Sequence, residues 1–170
     1  VEGTGSGMFN DTWTFFDVKV NTKPAMTWFG QSSYPTIVPS GSTSTYMSFR
    51  NTGNTKLYDD AGLSSAPSGT KPVHLATKSP MNRASVFGNT WPSSSRPAVN
   101  FSAVYESNGT TLASNQHVAQ PGQIVKFSFT LSVPGSLGAG TYREFFQPVV
   151  EGTGSGMFND TWTFFDVTIS

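Results

Sequence analysis

The eighteen residues Val1 to Val18, VEGTGSGMFNDTWTFFDV, recur without a single change as Val150 to Val167, 149 positions further along the chain. An identity of this length is a repeat and not a coincidence, and its period is that of a whole domain, not of a hairpin. The chain therefore divides into residues 1–20, the terminal strand of a preceding identical unit, and residues 21–170, one complete unit. An engineered duplication of the terminal strand is the alternative origin of the same pattern. The match stops at a boundary, because Lys19-Val20-Asn21 follows the first copy and Thr168-Ile169-Ser170 the second.

A unit of this size can bury most of the apolar surface of its unfolded chain, so one core is expected. Ten basic and ten acidic residues cancel to a net charge of zero, and no run of like charge appears. Nothing in that balance steers the chain toward nucleic acid or an anionic membrane, and neither is an expected partner. No apolar stretch approaches the roughly 20 residues that span a bilayer; membrane insertion is not expected, and no signal peptide or sorting tail is visible. The absence of cysteine removes disulfides and thiolate metal sites. A charged fraction of 12% beside an aromatic fraction of 14% suits an extracellular β-rich module at a cell surface or cell wall better than a helical cytosolic enzyme.

Apolar residues alternate with period two in several segments bounded by turn residues, which is the strand pattern. In Ile124 to Val133, Phe127, Phe129, Leu131 and Val133 share one face, while Lys126, Ser128, Thr130 and Ser132 share the other. Thr43 to Arg50 places Thr45, Met47 and Phe49 inward. Val99, Phe101, Ala103 and Tyr105 form a third set, and Asn108-Gly109 after it predicts a type I′ hairpin with Leu112 to Val118 as its return strand. Thr141 to Val150 and Phe158 to Ile169 are the last two strands, and the shift of apolar phase in the second predicts a bulge near Phe164-Phe165. The segment between Asp59 and Pro97 is Ser-, Pro- and Gly-rich with short apolar islands (Val73, Leu75; Val86, Phe87), and predicts long loops, a short strand and one helical turn at Ser79 to Arg83.

Seven to eight such strands with long loops predict an all-β fold, an immunoglobulin-like antiparallel β-sandwich. Gly140-Thr141-Tyr142 then fits a tyrosine corner, in which the hydroxyl returns to nearby backbone.

Four stretches carry a resemblance over residues 25 to 170: Ser48-Phe49-Arg50-Asn51-Thr52-Gly53-Asn54; Val73 to Thr77 with Pro80, Arg83, Ser85 and Phe87; Trp91 with Ser94, Arg96 and Pro97; and Pro121-Gly122 through Phe127-Ser128-Phe129 to Gly140-Thr141-Tyr142 and Phe146-Gln147-Pro148-Val149. In this order they resemble the tandem immunoglobulin-like domains of large bacterial surface proteins. They are more distantly similar to the four-tryptophan domain of autophagy receptors. The resemblance implies a spacer, scaffold or ligand-binding sandwich without catalysis, and transfers no site residue.

Candidate chemistry is thin. His74 and His117 are the only histidines, and Asp59-Asp60 and Glu144 with Glu151 the only carboxylate pairs suited to glycoside cleavage. Asp59-Asp60 could instead hold Ca²⁺, although the loop lacks an alternating Asp ladder. Lys126 with Asn159, Asp160 or Asp166 supplies the groups for an isopeptide cross-link. Tyr34, Tyr58 and Trp91, with Tyr46 beside them, could stack on sugar rings as a ligand platform. The sequons at Asn10, Asn100, Asn108 and Asn159 matter only in a glycosylating secretory host.

The expected function is thus a non-catalytic structural repeat of a long extracellular protein, with neighbouring copies of the same domain as partners and no cofactor. The alternative is a glycan- or peptide-binding adhesion module. The duplicated strand adds a further possibility, strand exchange between molecules through Phe9, Trp13, Phe15 and Phe16.

Overall fold

The computed structural model describes residues 22–153, 158 and 163–170. Within them the chain is all β, with ten strands and one short 3₁₀ turn at Ala61–Ser65. One antiparallel sheet holds, in spatial order, Met26–Gln31 (β1), Ser42–Asn51 (β3), Ile124–Ser132 (β8) and Ala103–Tyr105 (β6). The other holds Thr36–Ile37 (β2), Phe164–Ile169 (β10), Gly140–Val150 (β9) and Val73–Lys78 (β5). All pairs in the second sheet are antiparallel except β2 with β10. Leu57–Tyr58 (β4) and Val118–Ala119 (β7) pair separately at one end.

The two four-stranded sheets form a sandwich because each carries apolar residues at every second position on one face. Phe127, Phe129 and Leu131 of β8 lie beside Met47 and Phe49 of β3, all buried. Opposite them stand Phe146 of β9 and Phe165, Val167 and Ile169 of β10. The Phe129 and Phe146 ring centroids are 5.1 Å apart, and Phe129 meets Phe165 edge-on at 6.2 Å. Each such side chain contributes about 1.5–3 kcal/mol by leaving water. With no disulfide present, this aromatic layer ties the sheets together.

The alternation expected in β3 and β8 is the one observed, and the tyrosine corner is present: the Tyr142 hydroxyl donates to the Gly138 carbonyl at 3.0 Å. Other expectations fail locally. The strands number ten, because short pairings such as β2, β4 and β7 have no periodicity to read. Phe101 and Ala103 are buried as expected, but Val104 also enters the core and Tyr105 is only half-buried; Ser102, between them, bonds the Lys126 carbonyl through both its N–H and its hydroxyl. The Asn108-Gly109 turn closes with a single bridge between Tyr105 and Leu112. It is not type I′, as Gly109 alone has positive φ (75°) there. The backbone pairing stops after two bonds, Glu106 N–H to the Thr111 carbonyl and Ala113 N–H to the Val104 carbonyl; no return strand follows, and the Val104 N–H is met by the Gln116 side-chain oxygen, while the Gln116 amide also donates to the Val104 carbonyl. β10 pairs with β9 without a bulge from Phe164 onward. The Ser79 to Arg83 segment is a turn with a cis Ser79–Pro80 bond and positive φ at Ser79 and Asn82, not a helix.

Candidate functional site

The course of the chain through the sandwich defines two poles. β1 begins at Met26 opposite Asn51, at the end of β3. The residues before it are held there: the Ala25 carbonyl accepts the Thr52 and Gly53 N–H groups, and the Lys23 N–H donates to Asn54 Oδ1 at 2.7 Å. Gly53 is required for this approach, since a Cβ there would lie 2.3 Å from the Lys23 carbonyl oxygen. The Asn-Thr-Gly-Asn turn noted in the sequence is therefore the clamp on the incoming chain. β10 ends at Ile169, paired with Ile37 and Gly140, and the Ser170 N–H bonds the Ile37 carbonyl. Gly140 starts β9, whose far end, Val150, lies with Pro24 around one pocket. Ten residue steps along β9 separate the two levels, about 33 Å. The chain thus enters at an N-terminal pole and leaves at the opposite, C-terminal pole.

The N-terminal pole carries a cavity of about 470 Å³ lined by Thr22, Pro24, Thr55, Leu57, Val73 and Val150, with Pro67 and Lys71 on its rim. The C-terminal pole consists of two turns, Val38 to Gly41 and Pro134 to Gly140, neither containing a charged residue. The Val133 N–H donates to the Gly41 carbonyl and joins them. Val38 projects there, 60% exposed.

The titratable groups proposed from sequence are tied to partners. Asp59 is fully buried, and its Oδ1 accepts the Gly62 N–H (2.7 Å) while its Oδ2 accepts the Phe101 N–H and bonds His117 Nδ1 (both 2.9 Å). It is a staple between three loops, and both its oxygens already have donors where a Ca²⁺ site would need them free. His74 bonds Asp60 through Nε2 (2.8 Å) and Glu151 through Nδ1 (2.9 Å). The two carboxylates lie on opposite sides of the ring, so they share no point where a metal could sit, and neither ring nitrogen is open to a substrate. Arg96 also bonds Glu151, at 2.5 Å, and holds its carboxyl below the ordinary range. Glu144 is buried on β9, opposite Phe165 of β10, with Arg83 at 2.5 Å; burial raises its carboxyl, and the guanidinium offsets that only in part. Glu144 and Glu151 thus belong to two separate ion pairs. Lys126 lies over the Tyr46 ring at 4.2 Å on the outer face of the first sheet. Asp166 in the second sheet is paired with Arg143 at 2.7 Å, so Lys126 and Asp166 are not cross-link partners; Asn159 and Asp160 lie outside the described residues.

The aromatic platform is corrected by burial. Tyr58 is 7% and Trp91 8% exposed. Trp91 is a core residue that donates from Nε1 to the Thr130 carbonyl at 2.6 Å and meets Phe129 and Phe146 edge-on. Tyr34, 50% exposed, remains at the surface, with its ring 5.7 Å from Phe164 and tilted by 45°, and Tyr46 is half-buried beneath Lys126. Trp28, which sequence reasoning left aside, is exposed on the edge strand β1; its Nε1 reaches Gln31, whose amide bonds the Phe164 carbonyl. Its position three residues before Gln31 is a weak signal, since the bulge between Trp28 and Gly30 breaks the alternation. Phe9, Trp13, Phe15 and Phe16 lie outside the described residues. No protein-family model matches this chain, and no curated protein matches it.

Proposed function

We propose that this chain is a non-catalytic, immunoglobulin-like repeat module of a long extracellular bacterial surface or fibre protein, serving as stalk or scaffold. The observation that carries this reading is the 18-residue identity at a spacing of 149 residues, together with a sandwich that the described chain enters at one pole and leaves at the other. In the second copy the repeat supplies β10, whose inward residues are Phe165, Val167 and Ile169. The first copy keeps that pattern as Phe16, Val18 and Val20, so it has the side chains of a closing strand. It cannot serve this sandwich itself: Val20 precedes Pro24 by four residues, a reach of about 14 Å, against the roughly 33 Å between the poles. On the repeat reading it closes the sheet of another copy, either the preceding unit of the same chain or, by strand exchange, a second molecule. Units that enter at one pole and leave at the other lengthen an array with each copy added.

The test is a chain extended by one 149-residue period, residues 1–167 followed by residues 19–170, measured by small-angle scattering. Its maximum dimension grows by about one sandwich length, of order 35 Å. An unchanged dimension refutes the spacer reading. A second reading, adhesion through glycan or peptide, draws on Tyr34 and Trp28, two exposed aromatics linked to Phe164; a tandem chain that leaves glycan and peptide arrays blank refutes it.

A further inference from the structure

We propose that the pocket at the N-terminal pole is the seat for the C-terminal pole of the preceding copy, with Val38 and Pro39 of that copy entering between Pro24, Leu57, Pro67 and Val73. This rests on the tandem reading above and adds to it a specific, rigid joint. The occupant follows from chain length. By the repeat alignment, Val20 and Asn21 are the preceding copy's equivalents of Ile169 and Ser170. The next residue, Thr22, already lines the pocket. In the sandwich described here the Ser170 N–H is bonded to the Ile37 carbonyl, and Val38 is the next residue after it. Val38 of the preceding copy is therefore held within about 10 Å of Thr22, two residue steps and one strand spacing away.

The surfaces also agree in chemistry. Pro24, Leu57, Pro67, Val73 and Val150 give the pocket its apolar wall, beside Tyr58, three threonines and the two lysines Lys56 and Lys71. The turns that would face it have no charge to desolvate, and they present a valine more than half exposed. A pocket of this volume accepts an apolar side chain and the turn that carries it. The incoming segment is also anchored on the pocket side by Gly53 and Asn54, so little freedom is left to the joint. The contact is head-to-tail: the same two patches recur at each junction, and the symmetry does not close into a ring of two.

The experiment uses the same extended chain, followed by nuclear magnetic resonance. Docking shifts the amide signals of Leu57, Tyr58 and Val73 in the second unit relative to the 170-residue chain, and gives both units one shared tumbling time. Val38→Asp in the first unit, at an exposed turn that folding tolerates, returns those signals to their single-unit positions and separates the tumbling times. Pro67→Glu on the pocket rim of the second unit does the same from the other side. Wild-type signals that do not shift overturn the joint, as do shifts that persist in both variants. Scattering separates this failure from failure of the array: independently tumbling units still lengthen the particle, whereas a particle that does not lengthen refutes the spacer reading itself.

Discussion

Replacing Asp59 by alanine tests the account of the loop end of this sandwich. The carboxylate is fully buried and accepts from two backbone N–H groups, Gly62 and Phe101, and from the His117 ring. Alanine leaves both backbone donors without a partner, at about 1–3 kcal/mol each. The His117 ring is half exposed and can turn to water, so it adds little. The total is about 3–5 kcal/mol, the range found when a buried charge pair is broken, and at about 2–4 °C per kcal/mol it lowers the melting temperature by about 6–20 °C. Asp59→Asn keeps one acceptor oxygen but turns an amide N–H₂ toward the second donor, so it costs less than alanine, about 2 kcal/mol. Urea denaturation of the parent and both variants, with circular dichroism to confirm the fold, measures the two costs. An alanine variant within about 1 kcal/mol of the parent would falsify the staple, and a chelator that lowered the parent's midpoint would reinstate a calcium role.

The Arg83–Glu144 pair is asymmetric. Arg83→Met leaves a buried carboxylate without its guanidinium and costs about 3 kcal/mol or more at pH 7. Glu144→Gln costs much less, because burial already raises this carboxyl and disfavours its charge. With the folded value raised, Glu144 makes stability rise as pH falls from that value toward the unfolded one, so the Arg83→Met deficit shrinks on acidification; denaturation at about pH 7 and about pH 5 checks the sign. Glu151 behaves oppositely. Arg96 lowers its folded value, so its contribution is complete above the ordinary carboxylate range near about 4.3 and is lost as pH falls through the lower folded value. Glu151 is about a quarter exposed, which keeps the effect under about 1 kcal/mol, and Glu151→Gln flattens the acid limb of the urea midpoint by that amount. An identical acid limb in parent and variant refutes the pairing.

What could be read from the sequence is the long strands and the repeat. Phe127-Ser128-Phe129-Thr130-Leu131 and Thr45-Tyr46-Met47-Ser48-Phe49 alternate because a pleated strand buried on one side leaves no other order of residues, and Gly140-Thr141-Tyr142 marked the corner for the same local reason. The identity of Val1 to Val18 with Val150 to Val167 was visible without any fold. The buried state of Tyr58 and Trp91 was not, since a loop residue is covered or exposed according to what packs over it. Nor were the partners of Asp59 and His74, which lie as much as 77 residues away along the chain. Gln116 meets the Val104 N–H where the return strand predicted by the hairpin signal breaks off, because a side-chain amide oxygen accepts as a backbone carbonyl does. The two poles were decided by tertiary structure alone. Where a chain enters and leaves depends on the order in which strands pair across two sheets, and that order is set by contacts between residues far apart in sequence, about which local periodicity carries no information.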